Sequence, residues 1–250
     1  MVDLCLIVPH PDDEVFGSGG LFRRMTQHGK RVVTITLTRG GAGRTLELCS
    51  REELPACREQ ELRRSLSALG VRDDDVYIFD YPDFVTAADR GMDPRPGLQG
   101  EDQGEVAGRI SEIIDHVSPR VILTFPPNGA NGHPDHVVTN RLALAAIESA
   151  RSRPEKLFYF ASERPYQGPV PAGFLEAEEL KARHLAPTHY VELGWEVEAK
   201  LRAMAQHETQ ARSVLMYMRR FSRRLMVESF HQAVPVPSQE ELGGQTVYWL

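Results

Sequence analysis

A doubly wound α/β fold, with a mostly parallel sheet and helices on both faces, is what this sequence predicts, on three observations. Short apolar, β-branched runs alternate with stretches of helical length. The helical stretches end at Gly or Pro, the usual stop signals. The unusual polar clusters follow directly after strand-like runs, where ligands bind in such sheets.

The elements follow in order. Residues 4–8 are a continuous apolar run, suited to a strand buried on both faces. Residues 15–28 read as a helix ended by Gly29, and residues 31–38 (RVVTITLT) as a second strand. A helix over 55–69 stops at Gly70 and leads to a strand at 76–79. Residues 81–104, rich in Asp, Gly and Pro, read as a long loop of a length usually kept for function. A helix over 105–117 is stopped by Pro119; a strand at 121–125, a helix over 135–150 and a strand at 157–160 follow. Residues 165–171 are turn-rich, and the chain reads as helical again from about Trp195 to Phe230. Strand–helix–strand alternation implies right-handed crossovers. No repeat or linker divides the chain, so residues 1–250 are expected to form one domain.

Bulk properties exclude several classes. With 41% hydrophobic and 26% charged residues, the chain is neither disordered nor fibrous. Its net charge of −6 (29 basic against 35 acidic residues) provides no general field for nucleic acid or anionic lipid. The one dense basic stretch, Arg219 to Arg224, reads as a solvated helix face. Cys5 is expected in the core; with Cys49 and Cys57 it makes an odd count without metal spacing, which suits a reducing compartment. The N-terminus lacks a basic leader, and no apolar run approaches the roughly 18 residues of a membrane span. The expectation is a cytoplasmic protein with neither nucleic-acid nor membrane partners.

Two clusters carry the chemistry. After the first strand comes His10-Pro11-Asp12-Asp13-Glu14, a histidine and three acids in five positions. Like charges so close repel unless a cation sits among them, and imidazole with carboxylate is a standard zinc donor set. Helix capping explains one of the acids but not His10 with both aspartates. The following Gly17-Ser18-Gly19-Gly20 matches no phosphate-binding motif and is expected to let the helix approach the sheet. The second cluster, Asn128 to His136, again lies between a strand and a helix and holds His133, Asp135 and His136. One histidine can bind metal while the other faces substrate, and Asp135 can fix a ring tautomer. Three protein ligands with an open position describe a mononuclear hydrolytic site. Spacing alone leaves open which of Asp12 and Asp13 is ligand and which is base.

At these residues the sequence resembles the PIG-L/LmbE-like deacetylase family, whose HPDDE and HPDH patterns stand at His10–Glu14 and His133–His136. Further matches are the glycine turn Thr38-Arg39-Gly40-Gly41-Ala42-Gly43 and the R-x-x-E segment Arg58-Glu59-Gln60-Glu61. Lys200 followed by His207-Glu208-Thr209-Gln210 resembles the family's late segment. The resemblance implies a Rossmann-like sheet and a zinc-dependent N-deacetylase, a hydrolase of linear amide bonds. It implies that His10, Asp13 and His136 hold Zn2+, with Fe2+ also accepted by such donors. It makes Asp12 the general base and has His133 stabilise the oxyanion or protonate the leaving amine, tuned by Asp135. Arg58 and Asp83 match sugar-pocket positions. Asn131 stands where some relatives carry Tyr or an acid, and Gly41 where an acid is common. The implied substrate is a small amino-sugar, an N-acetylglucosamine conjugate such as a precursor of a low-molecular-weight thiol, or a chitooligosaccharide. A homo-oligomer is expected from relatives. The basic stretch from Arg219 hints at an anionic aglycone such as malate. Two alternatives are an amidase cleaving a larger acyl group and a non-catalytic Rossmann-like nucleotide-binding module.

Overall fold

The computed structural model describes residues 2–86, 92–238 and 241–250. Residues 87–91, inside the long loop expected at 81–104, lie outside the described residues. In order, the elements are β1 (Val2–Val8), α1 (Asp13–Gln27), β2 (Val32–Thr38), α2 (Leu54–Ala68), β3 (Val76–Tyr81), β4 (Phe84–Val85) and β5 (Arg95–Pro96). Then come α3 (Gln103–Val117), β6 (Pro119–Thr124), α4 (Gly129–Gly132), α5 (Pro134–Ser149), β7 (Lys156–Phe160) and α6 (Ala177–Ala182). The last are β8 (His189–Glu192), α7 (Glu196–Met204), α8 (Ala211–Arg220), β9 (Val227–Val234) and β10 (Gln245–Thr246).

The main sheet has eight strands in the order β10-β8-β9-β7-β6-β1-β2-β3. Every pairing is parallel except those of β9, which runs antiparallel to both β7 and β8. Alternate residues of β1 feed two cores. Leu4, Leu6 and Val8 pack with Leu21, Phe22 and Met25 of α1, Leu62 and Leu66 of α2, and Met204 of α7. Cys5 and Ile7 pack on the other face with Ile110 and Ile114 of α3 and with Val138 and Leu142 of α5. Each such buried aliphatic side chain contributes about 1.5–3 kcal/mol. The helices therefore cover both faces, as the alternation predicts, and no helix among the described residues is long and apolar enough to cross a membrane. Cys5 is fully buried, which pushes its thiol up to about 12.

The C-terminal third corrects the expectation of helix from Trp195 to Phe230. That stretch is α7, α8, two 3-10 turns and the first half of β9. The inward positions of β9 are Glu228, Phe230 and Gln232, so its alternation of burial is not an alternation of hydropathy. Glu228 is inside because Lys200 meets it at 2.8 Å with both side chains fully buried, and the amides of Gly20 and Leu21 donate to the same carboxylate. The loop at 81–104 also departs from expectation: it carries the antiparallel pair β4–β5.

Gly17 and Gly20 act as expected. A β-carbon on Gly17 would lie 2.6 Å from the Phe160 ring of β7, and one on Gly20 would lie 2.2 Å from Leu193 after β8. Glycine lets α1 settle on the sheet here.

Candidate active site

β1 lies between β2 and β6, parallel to both; Leu4 pairs with Val32 on one side and Val121 on the other. The chain leaves β1 toward β2 and enters β6 only after the β2–β3 half is built. The gap between β1 and β6 is thus the switch point of the sheet, where ligands bind beyond strand carboxyl ends. Residues 9–14 follow β1 and residues 125–136 follow β6, so both polar clusters open into the same crevice.

His10, Asp13 and His136 converge there. Asp13 Oδ2 is 3.4 Å from His10 Nδ1, and Asp13 Oδ1 is 3.5 Å from His136 Nε2. One donor atom from each residue lies within 4.8 Å of the others. The remaining ring nitrogens are engaged elsewhere. His10 Nε2 meets Asp135 Oδ2 at 3.1 Å, and His136 Nδ1 meets the Gly129 carbonyl at 3.1 Å. When each outer nitrogen donates its proton, the inner nitrogen turns a lone pair toward Asp13, as metal-binding histidines are arranged. The donor set fits a divalent ion of the zinc or ferrous type. Phe125 stacks on His136 with centroids 3.9 Å apart and fixes its ring.

The charges agree with that fit. Burial alone would raise the Asp13 carboxyl, but His136 and His10 beside it hold it at about 2. Burial would lower His10, yet Asp13 and Asp135 drive it well above the ordinary histidine value. Two buried carboxylates around one imidazole need positive charge between them, which a cation supplies as a proton does.

Asp12 occupies the N-cap of α1 but makes no capping bond with its side chain. It sits at φ 105°, a left-handed conformation uncommon for a non-glycine residue. Glu14 Oε2 accepts from the Asp12 amide at 2.8 Å, and Arg58 Nη2 lies 3.2 Å from Asp12 Oδ2 while also donating to the Pro11 carbonyl. Glu14 is itself held by Ser65 Oγ and His207 Nε2, each at 2.7 Å. Burial pushes Asp12 up to about 6, against the opposing pull of Arg58. Such a carboxylate is suited to exchanging a proton near neutrality.

His133 lies with its ring centroid 4.9 Å from His10 and 4.8 Å from His136. Its Nδ1 accepts from the Asp135 amide at 3.1 Å, which puts the ring proton on Nε2. Burial, reinforced by His136 and His10, holds it well below the ordinary histidine value. The Asp135 carboxylate meets the His10 ring and accepts from the amides of Phe84 (2.7 Å) and Leu98 (3.0 Å), while its backbone amide donates to the His133 ring and its charge opposes the lowering of His133. Asn131 Oδ1 accepts from the His133 amide at 3.1 Å.

Arg58 and Asp83 both border the glycine turn. Arg58 Nη1 donates to the Gly40 carbonyl at 2.9 Å, and Asp83 Oδ2 accepts from the Ala42 amide at 2.6 Å. Gly40 has φ +69°, and a β-carbon there would strike the Arg58 guanidinium. Arg58 Nε and Asp83 Oδ1 are buried without partners. The sequence reading missed Phe125 and the support that Glu14, Ser65 and His207 give Asp12. For His207 the signal was the late segment that contains it; stacking by Phe125 had none.

Fold and site together define an α/β protein whose sheet crevice brings together two histidines and a carboxylate that could hold a metal ion, beside a second buried carboxylate. Residues 5–147 match the model of the PIG-L family, described as GlcNAc-PI de-N-acetylase, and the chain belongs to that family. It is 30% identical over 237 residues to the 1D-myo-inositol 2-acetamido-2-deoxy-alpha-D-glucopyranoside deacetylase of Mycobacterium sp. (strain KMS), covering 83% of this chain and 73% of that protein. Among solved structures, a conserved protein of Thermus thermophilus superposes with TM-score 0.65 at 25% identity, covering 95% of this chain and 97% of that one. The N,N'-diacetylchitobiose deacetylase of Pyrococcus horikoshii superposes with TM-score 0.67 at 19% identity, covering 95% and 88%. The chain is an amide-cleaving enzyme, a deacetylase, and the alternative of a non-catalytic nucleotide-binding module falls away.

Proposed function

We propose that this deacetylase removes the acetyl group from an N-acetylglucosamine conjugate, with zinc held by His10, Asp13 and His136. One observation carries the reading: each histidine ties up one ring nitrogen and turns the other toward the same carboxylate. The metal would polarise the amide carbonyl and lower the pKa of water to about 7. Asp12 takes the proton of the attacking water, and its left-handed backbone, held by Glu14 and Arg58, fixes where that carboxylate points. His133 presents Nε2–H to the oxyanion. With Nδ1 already accepting a backbone amide, it is poised as a neutral donor rather than as an acid. The proton held by Asp12 then passes to the leaving amine. Arg58 and Asp83, which flank the glycine turn beside Asp12, are the residues assigned to the sugar side of the site, and Asn131, on the cavity wall, keeps its Nδ2 group as a donor.

The test is metal content together with acetate release from GlcNAc-inositol, GlcNAc-malate and diacetylchitobiose. Expected are one tightly held metal per chain and acetate release that chelation abolishes and zinc restores, with ferrous iron as the comparison. Tight metal without acetate from any N-acetyl sugar would move the assignment to an amidase acting on larger acyl groups.

A further inference from the structure

Asp13 and His136 also line a cavity of about 750 Å³. That is within the ~300–1,000 Å³ range of sites that enclose whole small molecules. An acetyl group fills little of it, so most of the space is left to the rest of a substrate. Part of the remaining wall, from the turn after β7, the end of α8 and the α8–β9 connection, is basic. Arg164, Arg220, Arg223 and Arg224 all line it.

The acids on the same wall do not neutralise this charge. Glu163 is taken by Arg223 at 2.7 Å, and Glu228 by Lys200 at 2.8 Å. Asp13 belongs to the metal triad. Among the described residues Arg164, Arg220 and Arg224 have no ion-pair partner, in a chain whose net charge is −6. Two of them are held in place by aromatic rings. Arg220 lies over Tyr166, 4.8 Å from the centroid, with Nη1 3.3 Å from its hydroxyl; Arg224 lies over Phe221 at 4.6 Å. Stacking orients a guanidinium while leaving its in-plane donors free for a planar or tetrahedral oxyanion. His184 adds a buried ring Nε2 without a partner on the same wall.

We propose that this cavity receives the aglycone of the amino-sugar conjugate and that the aglycone carries an anionic oxygen acid, a carboxylate or phosphate, bound by Arg220 and Arg224. The proposal rests on the deacetylase reading above. It places the anion's recognition outside the metal centre, so its effect belongs in KM rather than in kcat.

The experiment compares kcat/KM for the carboxymethyl glycoside of N-acetylglucosamine with its neutral carboxamide, and adds the 2-phosphoethyl glycoside to separate carboxylate from phosphate. The expected result is a preference of about tenfold or more for an acidic glycoside, carried by KM and weakened by salt. In the Arg220→Gln/Arg224→Gln double variant the acidic-to-neutral ratio falls toward one. Equal kcat/KM for the acidic and neutral glycosides in the wild-type enzyme overturns the proposal, whatever the variant does. A ratio unchanged in the variant also overturns it. If no glycoside is hydrolysed, the deacetylase reading fails, and calorimetry on the matching free-amine glycosides decides the cavity. Tighter binding of the acid keeps its assignment; equal binding ends it.

Discussion

The residue that most distinguishes this site from a plain pair of metal-binding loops is Asp12. Its neighbour Asp13 has the same side chain, yet burial and local charge hold Asp12 at about 6 and Asp13 at about 2. Backbone conformation separates their roles as well, since only Asp12 takes the left-handed φ that turns it from the histidines to Arg58. His133 and His136 divide the same way. His136→Ala removes a donor, so the protein should lose most of its bound metal, as read by atomic absorption. His133→Ala should keep the metal and lose about 10²–10³ in kcat, the usual cost of removing an oxyanion donor. Loss of metal in His133→Ala would place that ring among the ligands instead. Six residues of the two clusters, His10, Asp12, Asp13, His133, Asp135 and His136, were legible as a set, because a His with paired acids after a buried strand has few other uses. The partner of each was not. Asp135 is two residues from His133 in sequence, but its carboxylate meets His10, 125 positions away.

Among the elements, α1, α7 and β9 are joined by a buried charge pair rather than by apolar contact. Lys200 Nζ donates to Glu228 and to the Arg224 carbonyl at 2.9 Å, while Glu228 accepts from two amides of α1. Removing one partner leaves the other charged and buried. Lys200→Met should therefore destabilise the fold by about 3–5 kcal/mol in urea unfolding. A loss under about 1 kcal/mol would show that Glu228 finds another partner. β3 is anchored differently. Asp75 precedes it, almost fully buried, and accepts from Arg31 at 2.9 and 2.6 Å and from Arg72 at 2.8 Å. Burial would raise its carboxyl, but these two arginines bring it below the ordinary value. A folded-state pKa below the unfolded one stabilises above the unfolded value and is lost as pH falls through the folded one. Asp75→Asn should cost about 1–3 kcal/mol at pH 7. The gap between variant and wild type should close below about pH 4, as read by melts across pH. The same polar interior explains why β9 read as helix: with Glu228 and Gln232 pointing inward, hydropathy carried no period of two. The strands β1, β2, β3, β6 and β7, buried largely by apolar residues, were legible with ends close to those observed.

For the whole molecule, strand order decides where chemistry can occur. The five N-terminal parallel strands of the main sheet give the order β3-β2-β1-β6-β7 around one switch point, and both polar loops leave the strands that flank it. That much follows from alternation and the placing of the clusters. The cavity's basic wall did not: Arg219 to Arg224 read as a solvated face, and Arg219, Arg220 and Arg223 are exposed, but the pattern gave no sign that α8 ends at Arg220 and that the turn beyond it lines the cavity. The acid-rich loop after β1 is where the proposed mechanism is decided, with one aspartate proposed to hold the metal and the other to move the proton. The most direct measurement is metal content and acetate release for Asp12→Asn beside Asp13→Ala. Asp12→Asn is expected to keep its metal and lose about 10²–10⁴ in kcat, while Asp13→Ala loses the metal. An Asp12→Asn protein that keeps its metal and most of its turnover would contradict that mechanism.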